Sequence, residues 1–126
     1  MRDLVHNISA VPALAPAVQA AAADGAAIDL RGFNRVAFVV NTGAIVGAGD
    51  FGVKLQEGDD GVTFADAAAA VVQGSVPATL AAASTYKLGY VGFKRFARLS
   101  LTKAGGTSLA IGAVAVLADP ATVPVS

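Results

Sequence analysis

The segment RVAFVV, residues 35–40, decides the fold class of this chain. Its Val36, Phe38 and Val40 fall on one side of an extended backbone, and the two residues between them are also apolar. Because side chains alternate between the two faces of a strand, both faces of this segment are apolar. That pattern is typical of a strand at the centre of a packed sheet, and it predicts a mostly β protein.

Further strands are predicted C-terminal to this segment. In residues 51–57, apolar Phe51, Val53 and Leu55 alternate with Gly, Lys and Gln, which is the pattern of a half-buried strand. Similar patterns occur at residues 86–91, 96–102 and 109–117, and turn-forming residues separate them. The predicted core consists of Val36, Phe38, Val40, Phe51, Val53, Leu55, Leu99 and Leu101.

The N-terminal segment differs from the rest of the chain because it contains Pro12 and Pro16. Proline fixes its own φ and favours an extended residue before it. We therefore predict an extended N-terminal arm over residues 1–17 and a β-sandwich domain over residues 18–126. The predicted fold class is all-β, a single β-sandwich or jelly-roll-like domain with that arm. Residues 62–72 are compatible with either a helical turn or a strand.

Composition excludes several classes of function. The chain has 126 residues with no Cys, and nine basic residues balance nine acidic ones. The absence of Cys excludes a disulfide framework and thiolate metal sites, and the zero net charge argues against direct binding to nucleic acid. No apolar run has the length of a membrane helix, so no membrane partner is expected. The chain is 55% hydrophobic, which favours association with other proteins.

No pattern of titratable residues indicates an enzyme. His6 is the only histidine, and no motif places a serine or an acid beside it. Glu57, Asp59 and Asp60 lie close together but have the spacing of a hairpin turn rather than of a calcium loop. Residues 41–50 carry three glycines and predict a loop. Its glycine-rich part, residues 43–49, precedes a strand, so it predicts a flexible surface loop rather than a phosphate loop. We expect no catalytic residue, no cofactor and no metal.

A basic and aromatic stretch near residues 86–98 allows two interpretations. Exposed aromatic rings between cations are typical of surfaces that bind nucleic acid or carbohydrate. Alternatively, the cations flank a hairpin turn while the rings enter the core, which the absence of a basic excess elsewhere favours. The residues concerned are Tyr86, Lys87, Tyr90, Phe93, Lys94, Arg95, Phe96 and Arg98.

Six short phrases, spread from about Asp24 onward, resemble a family of small structural proteins from tailed phages and prophages. They are GAAIDLRGF (25–33), NTGA (41–44), FGVKLQE (51–57), YKLGYVG (86–92), KRFAR (94–98) and GGT (105–107). The resemblance is to capsid decoration, or cement, proteins. It implies a β-sandwich or jelly-roll-like module that binds the outer lattice of the major capsid protein and has no catalytic residues. It also implies a place on the capsid surface of the virion, after synthesis in the cytoplasm of the bacterial host.

Two other functions remain open at this point. A tail or neck protein of the same virion would have a similar composition. A carbohydrate-binding β-sandwich would use exposed Tyr86, Tyr90 or Phe93 as a stacking platform, and burial of these rings would argue against it.

The arm is the predicted partner-binding segment. An extended arm exposes backbone groups that can pair with the sheet edge of a neighbouring copy or of the capsid protein. Leu4, Ile8, Val11 and Leu14 would supply its apolar anchors. Because ordering such an arm costs conformational entropy, we expect it to order only in the assembly and removal of residues 2–16 to leave the domain folded.

Overall fold

The computed structural model describes residues 5–120, with the side chains of residues 34, 119 and 120 excepted. Two antiparallel sheets pack face to face and form a β-sandwich, which confirms the predicted all-β fold. In chain order the strands are β1 (Ile8–Gln19), β2 (Ala23–Asp24), β3 (Ile28–Asp29), β4 (Phe33–Val46), β5 (Asp50–Gly58), β6 (Ala65–Asp66), β7 (Val72–Gln73), β8 (Thr85–Tyr90), β9 (Phe96–Gly105) and β10 (Ser108–Pro120). Short 3₁₀ turns occupy Val5–Asn7 and Ala69–Val71.

The strand order places long strands at the centre of each sheet. The first sheet has the order β1-β10-β4-β8-β7, and the second has the order β2-β9-β5-β6, with β3 also paired to β9. Residues 62–72, which were compatible with a helical turn or a strand, contain one short element of each kind, namely the second 3₁₀ turn and β6.

No helix within the described residues has the length and hydropathy needed to cross a membrane.

The core lies between the two sheets, and the predicted alternation is confirmed there. All eight predicted core residues are buried, and Phe38, Val40, Phe51 and Leu99 are wholly inaccessible to solvent. Leu88 and Ile111 join them from the first sheet, and the connecting segment before β8 adds Leu80. The period of two therefore identifies the inward face of every long central strand.

Residues 41–46 are not the loop that their glycine suggests. They continue β4, and Ile111 on β10 lies opposite Thr42. The Thr42 hydroxyl is buried, donates to the carbonyl oxygen of Ala81 at 2.6 Å and accepts from the Ser84 N–H at 2.9 Å. These hydrogen bonds satisfy the polar side chain of Thr42 inside the sandwich, so its burial there is not costly. The strand can therefore continue through residues whose composition predicts a loop.

The β4–β5 and β9–β10 connections each pass from one sheet to the other, and the two turns contact each other. Gly106 has φ +78°, and a Cβ placed on it would lie 2.2 Å from the carbonyl oxygen of Ala48. Gly47 has φ +59°, and its Cβ would lie 2.1 Å from Oγ1 of Thr107. Only glycine fits both the backbone conformation and the available space at these two positions.

The predicted boundary between an arm and a domain at residues 17/18 is wrong. Strand β1 runs through it, from Ile8 to Gln19, and pairs with β10 of the same chain. Ala13 and Leu14 of β1 are buried in the core. The segment is extended as predicted, but β10 offers it both hydrogen-bonding groups and an apolar surface, so it belongs to the sandwich. The prolines are tolerated because β1 is an edge strand.

Candidate interaction surfaces

The outer face of the second sheet is covered by polar side chains that bond to one another. Arg98 donates to the side-chain oxygen of Gln56 at 2.8 Å and lies 3.5 Å from the carboxylate of Asp24. Gln56 in turn donates to Asp66 at 3.0 Å, and Lys54 forms an ion pair with Asp66 at 3.1 Å. The partners are cross-strand neighbours, so the register of the sheet creates this network.

The network satisfies the charges on that face internally. The hydrogen bond from Gln56, with a smaller contribution from Lys54, holds the pKa of Asp66 below its usual value. The Arg98 guanidinium also lies over the ring of Phe64, 4.2 Å from its centre. We therefore interpret this face as the solvated side of the sandwich.

The outer face of the first sheet has the opposite character. Along β10 the outward positions are occupied by small apolar residues, namely Ala110, Gly112, Val114, Val116 and Ala118. Neighbouring outward positions on β4 carry Ala37 and Val39, and those on β1 carry Ala10 and Pro12. We call these nine residues the apolar face. None of them is charged, and within residues 5–120 the cations that border the face are Arg35, opposite Ala118, and Lys87, opposite Val39.

A groove of about 890 Å³ crosses the apolar face between β1 and β4. Small side chains on β10 form its floor, and Pro16 of β1 lies directly over Gly112, where a Cβ would be 3.2 Å from the proline Cα. Val114 is 42% exposed, and Val18 at the edge of the groove is 68% exposed. Contiguous exposed apolar surface of this kind marks a site where a soluble protein contacts another molecule.

The predicted anchor residues do not form a separate arm surface. Leu14 is buried and Val11 is half-buried against the same core, and both line the groove on the apolar face rather than a separate arm. Ile8 is half-buried opposite Ala118, and Leu4 lies outside the described residues. The strand that carries them nevertheless contributes Pro12, Pro16 and Val18 to one wall of the groove, residues that the sequence analysis missed. Their exposure follows from the two bulges of β1 near Leu14, for which the sequence carries no clear signal.

The aromatic residues do not form a carbohydrate platform of several rings. Tyr90 is buried, and Tyr86 is half-buried with its hydroxyl accepting from the N–H of Ala81 at 3.0 Å. Only Phe93 of these three is exposed. Sugar binding by stacking requires accessible ring faces, so the second interpretation of the stretch, with rings entering the core, applies to both tyrosines.

The acidic residues near the end of β5 have structural partners. Asp60 accepts from the N–H groups of Val62 at 2.9 Å and Thr63 at 2.8 Å, and these bonds lower the pKa of its carboxyl group. Asp59 forms an ion pair with Lys94, and Glu57 accepts from the hydroxyl of Tyr90. Within residues 5–120 no group of three or more acidic or histidine side chains is placed to hold a metal ion.

Comparison with known proteins adds no relative. The chain matches no protein-family model, and no curated protein matches it significantly.

Proposed function

We propose that this chain is a structural protein of a tailed-phage or prophage virion, a decoration protein that binds and stabilises the lattice of the major capsid protein. The observation that carries the proposal is the contrast between the outer faces of the two sheets. One is a closed polar network, and the other is apolar and carries a groove. A β-sandwich with one apolar face suits a protein that lies on a surface, and the resemblance of its sequence phrases supports the proposal that this surface is a capsid.

The apolar face accounts for about half of a standard protein interface. Its three strands, about 4.8 Å apart and about eight residues long in the paired region, cover roughly 400 Å² in projection. Each partner in a standard protein interface contributes roughly 800 Å² of accessible surface. Because small side chains occupy the face, an opposing apolar surface can approach its backbone closely.

Stabilisation of the capsid follows from mass action. A protein that binds the assembled lattice but not the separated subunits raises the free energy of disassembly by an amount set by its concentration and affinity. Such a protein needs shape and apolar complementarity rather than an active site, and it requires no cofactor and no contact with packaged DNA. Neighbouring copies on the lattice bring homotypic contacts as well, so copies of itself are further partners in the proposal.

The proposal is tested on particles of the encoding phage or prophage that lack this protein. Purified chain added back is expected to bind the capsid, and Val114→Glu in the groove is expected to lower its occupancy at least about tenfold. Thr102→Glu is the matched control, since Thr102 is exposed on the outer face of the second sheet. Absence of the wild-type chain from capsids overturns the proposal, and its presence on tails or necks supports the alternative virion role.

A further inference from the structure

One end of the sandwich carries a second surface, which adjoins the apolar face at Arg35. The turn between β3 and β4 and the loop between β8 and β9, residues 91–95, enclose a pocket of about 390 Å³. Four of its lining residues are basic and none is acidic. The basic residues are Arg31, Arg35, Lys94 and Arg95. We call this pocket with its loop the Phe93 end.

Phe93 at the tip of the loop is 91% exposed, which is unusual for a phenylalanine. Val91 beside it is 53% exposed. Transfer of a phenylalanine side chain out of water is worth about 2–3 kcal/mol, and this free energy does not stabilise the fold while the ring is exposed. Burial of the ring in a partner contributes the same free energy to binding.

The loop that carries Phe93 is fixed on both sides of the ring. Its first residue, Val91, donates its N–H to the carbonyl oxygen of Val71 at 2.8 Å, and the N–H of Lys94 bonds to the hydroxyl of Tyr90 at 3.2 Å. The carbonyl oxygen of Arg95 accepts from the N–H of Leu30 at 2.8 Å. The ring is thus presented by a preorganised loop, which lowers the entropy cost of binding through it.

The cations of the Phe93 end differ in how far the chain itself neutralises them. Arg95 donates two hydrogen bonds to Asp29, at 3.0 and 2.8 Å, and Lys94 pairs with Asp59 at 3.0 Å. For the guanidinium of Arg31, no carboxylate lies within ion-pair distance among the described residues. An anionic group on a partner would therefore find, at Arg31, a guanidinium that no carboxylate of the described residues binds directly.

We propose that the Phe93 end docks into an apolar pocket of a partner protein whose rim carries a carboxylate, with Phe93 filling the pocket and Arg31 binding the rim. The identity of the partner rests on the proposed function, which makes it the major capsid protein. Aromatic residues, phenylalanine included, and arginine are both enriched in protein interfaces, and the Phe93 end presents one of each.

Charge distribution favours a protein partner over nucleic acid. Asp29 and Asp59 stand beside the cations, and their carboxylates repel a phosphate backbone. Binding of single strands also relies on several stacking rings along a basic groove, whereas Phe93 is the only strongly exposed ring in the pocket lining. A single carboxylate on a protein surface carries one charge, so Asp29 and Asp59 repel it less than they repel a run of phosphates.

The groove and the pocket at the Phe93 end share no lining residue, and this has a mechanical consequence. The groove runs along the middle of the first sheet, whereas the Phe93 end lies at the strand ends near Val36 and Tyr90. A copy that uses both surfaces can hold two neighbouring lattice subunits at once. The second contact then forms at high effective concentration, which strengthens attachment beyond either contact alone.

Co-sedimentation with capsids that lack the native copy tests the proposal. We expect Phe93→Ala and Arg31→Glu each to weaken binding at least about tenfold. Matched controls are Val62→Ala, an 82% exposed apolar side chain on another loop, and Lys54→Glu, a charge reversal on the opposite outer face. The controls should change binding less than about twofold, and circular dichroism should show all four variants folded. The defect of Arg31→Glu should shrink between about 50 and 500 mM salt, because salt screens exposed charges.

The outcomes separate this inference from the proposed function. Wild-type binding that Phe93→Ala and Arg31→Glu leave unchanged overturns the inference alone. Failure of the wild-type chain to bind capsids overturns both. A fluorescent oligothymidylate is the probe for the nucleic-acid alternative, and tight binding of it that Arg31→Glu abolishes also overturns the inference.

Discussion

The hydroxyl of Tyr90 donates a hydrogen bond to the carboxylate of Glu57 and so joins the two sheets of the sandwich. Tyr90 ends β8 in the first sheet, and Glu57 lies on β5 in the second. The same hydroxyl accepts from the N–H of Lys94, which positions the loop that presents Phe93. A single buried side chain thus couples the packing of the sheets to the shape of the Phe93 end.

This relationship predicts a loss of stability in strong alkali. Burial, together with the bond to Glu57, raises the pKa of Tyr90 to about 12, from an ordinary value of 10.0. Because folding favours the neutral hydroxyl, its contribution is complete below about pH 10 and is lost as the pH rises toward 12. Denaturant unfolding across this range should show the decline, and Tyr90→Phe should reduce it. An identical decline in Tyr90→Phe would contradict the assignment.

A second prediction concerns acid. The hydrogen bond from Arg95, with a smaller one from the Arg31 N–H, lowers the pKa of Asp29 from 3.8 to about 2. Folding therefore favours the ionised carboxylate, whose contribution is present above about pH 4 and is lost as the pH falls toward 2. Asp29→Asn should flatten the dependence of the melting temperature on pH in this window. Since Asp29 is partly exposed, we expect the change to be small at high salt.

Truncation of the central core residue Leu99 should be costly. Leu99 is fully buried opposite Leu55, so Leu99→Ala should lower the free energy of unfolding by roughly 2–5 kcal/mol. Exposed Val5, which is 75% accessible, provides the control, and Val5→Ala should change the free energy by less than about 0.5 kcal/mol. Equal losses in the two variants would mean that Leu99 does not face the core.

The position of β1 reverses the prediction made from sequence for removal of residues 2–16. Deletion would expose the core around Leu14 and leave the edge of β10 unpaired, so we expect a protein that is largely unfolded. Leu14→Ala alone should cost roughly 2–5 kcal/mol. Circular dichroism and thermal unfolding of both variants provide the measurement. A deletion variant that melts like the full chain would show that β1 contributes nothing to the sandwich.

Local sequence was sufficient to predict the central strands. Burial of Val36, Phe38 and Val40 follows from a period of two, which is a property of the extended backbone itself. The same reasoning identified Phe51 and Leu55 on the neighbouring sheet. No long-range information is needed to assign these faces, because each strand carries its own apolar pattern.

Local sequence was insufficient wherever a distant strand determines the outcome. Ile8 lies opposite Ala118, near the other end of the chain, so nothing in the first 20 residues shows that β1 has a partner. Thr42 continues a strand because Ile111 pairs with it and Ser84 bonds to its hydroxyl. The free energy of strand pairing depends on the sequences of both strands, and the pattern of one strand does not show whether a partner is present.

The contrast between the two outer faces also depends partly on composition and partly on the tertiary structure. Composition establishes that the chain is apolar and carries no net charge, which by itself favours association. Only the sheet register brings Gln56 beside Arg98 and Asp66 on one outer face, and sets Val114 beside Val39 on the other. Tyr90 and Phe93 belong to one short aromatic stretch, yet one is buried and the other exposed. The difference arises because Tyr90 ends β8 opposite buried Val36, where Glu57 of the other sheet accepts from its hydroxyl, whereas Phe93 lies in the loop beyond the strand. The packing of the two sheets, which decides this, exists only in three dimensions.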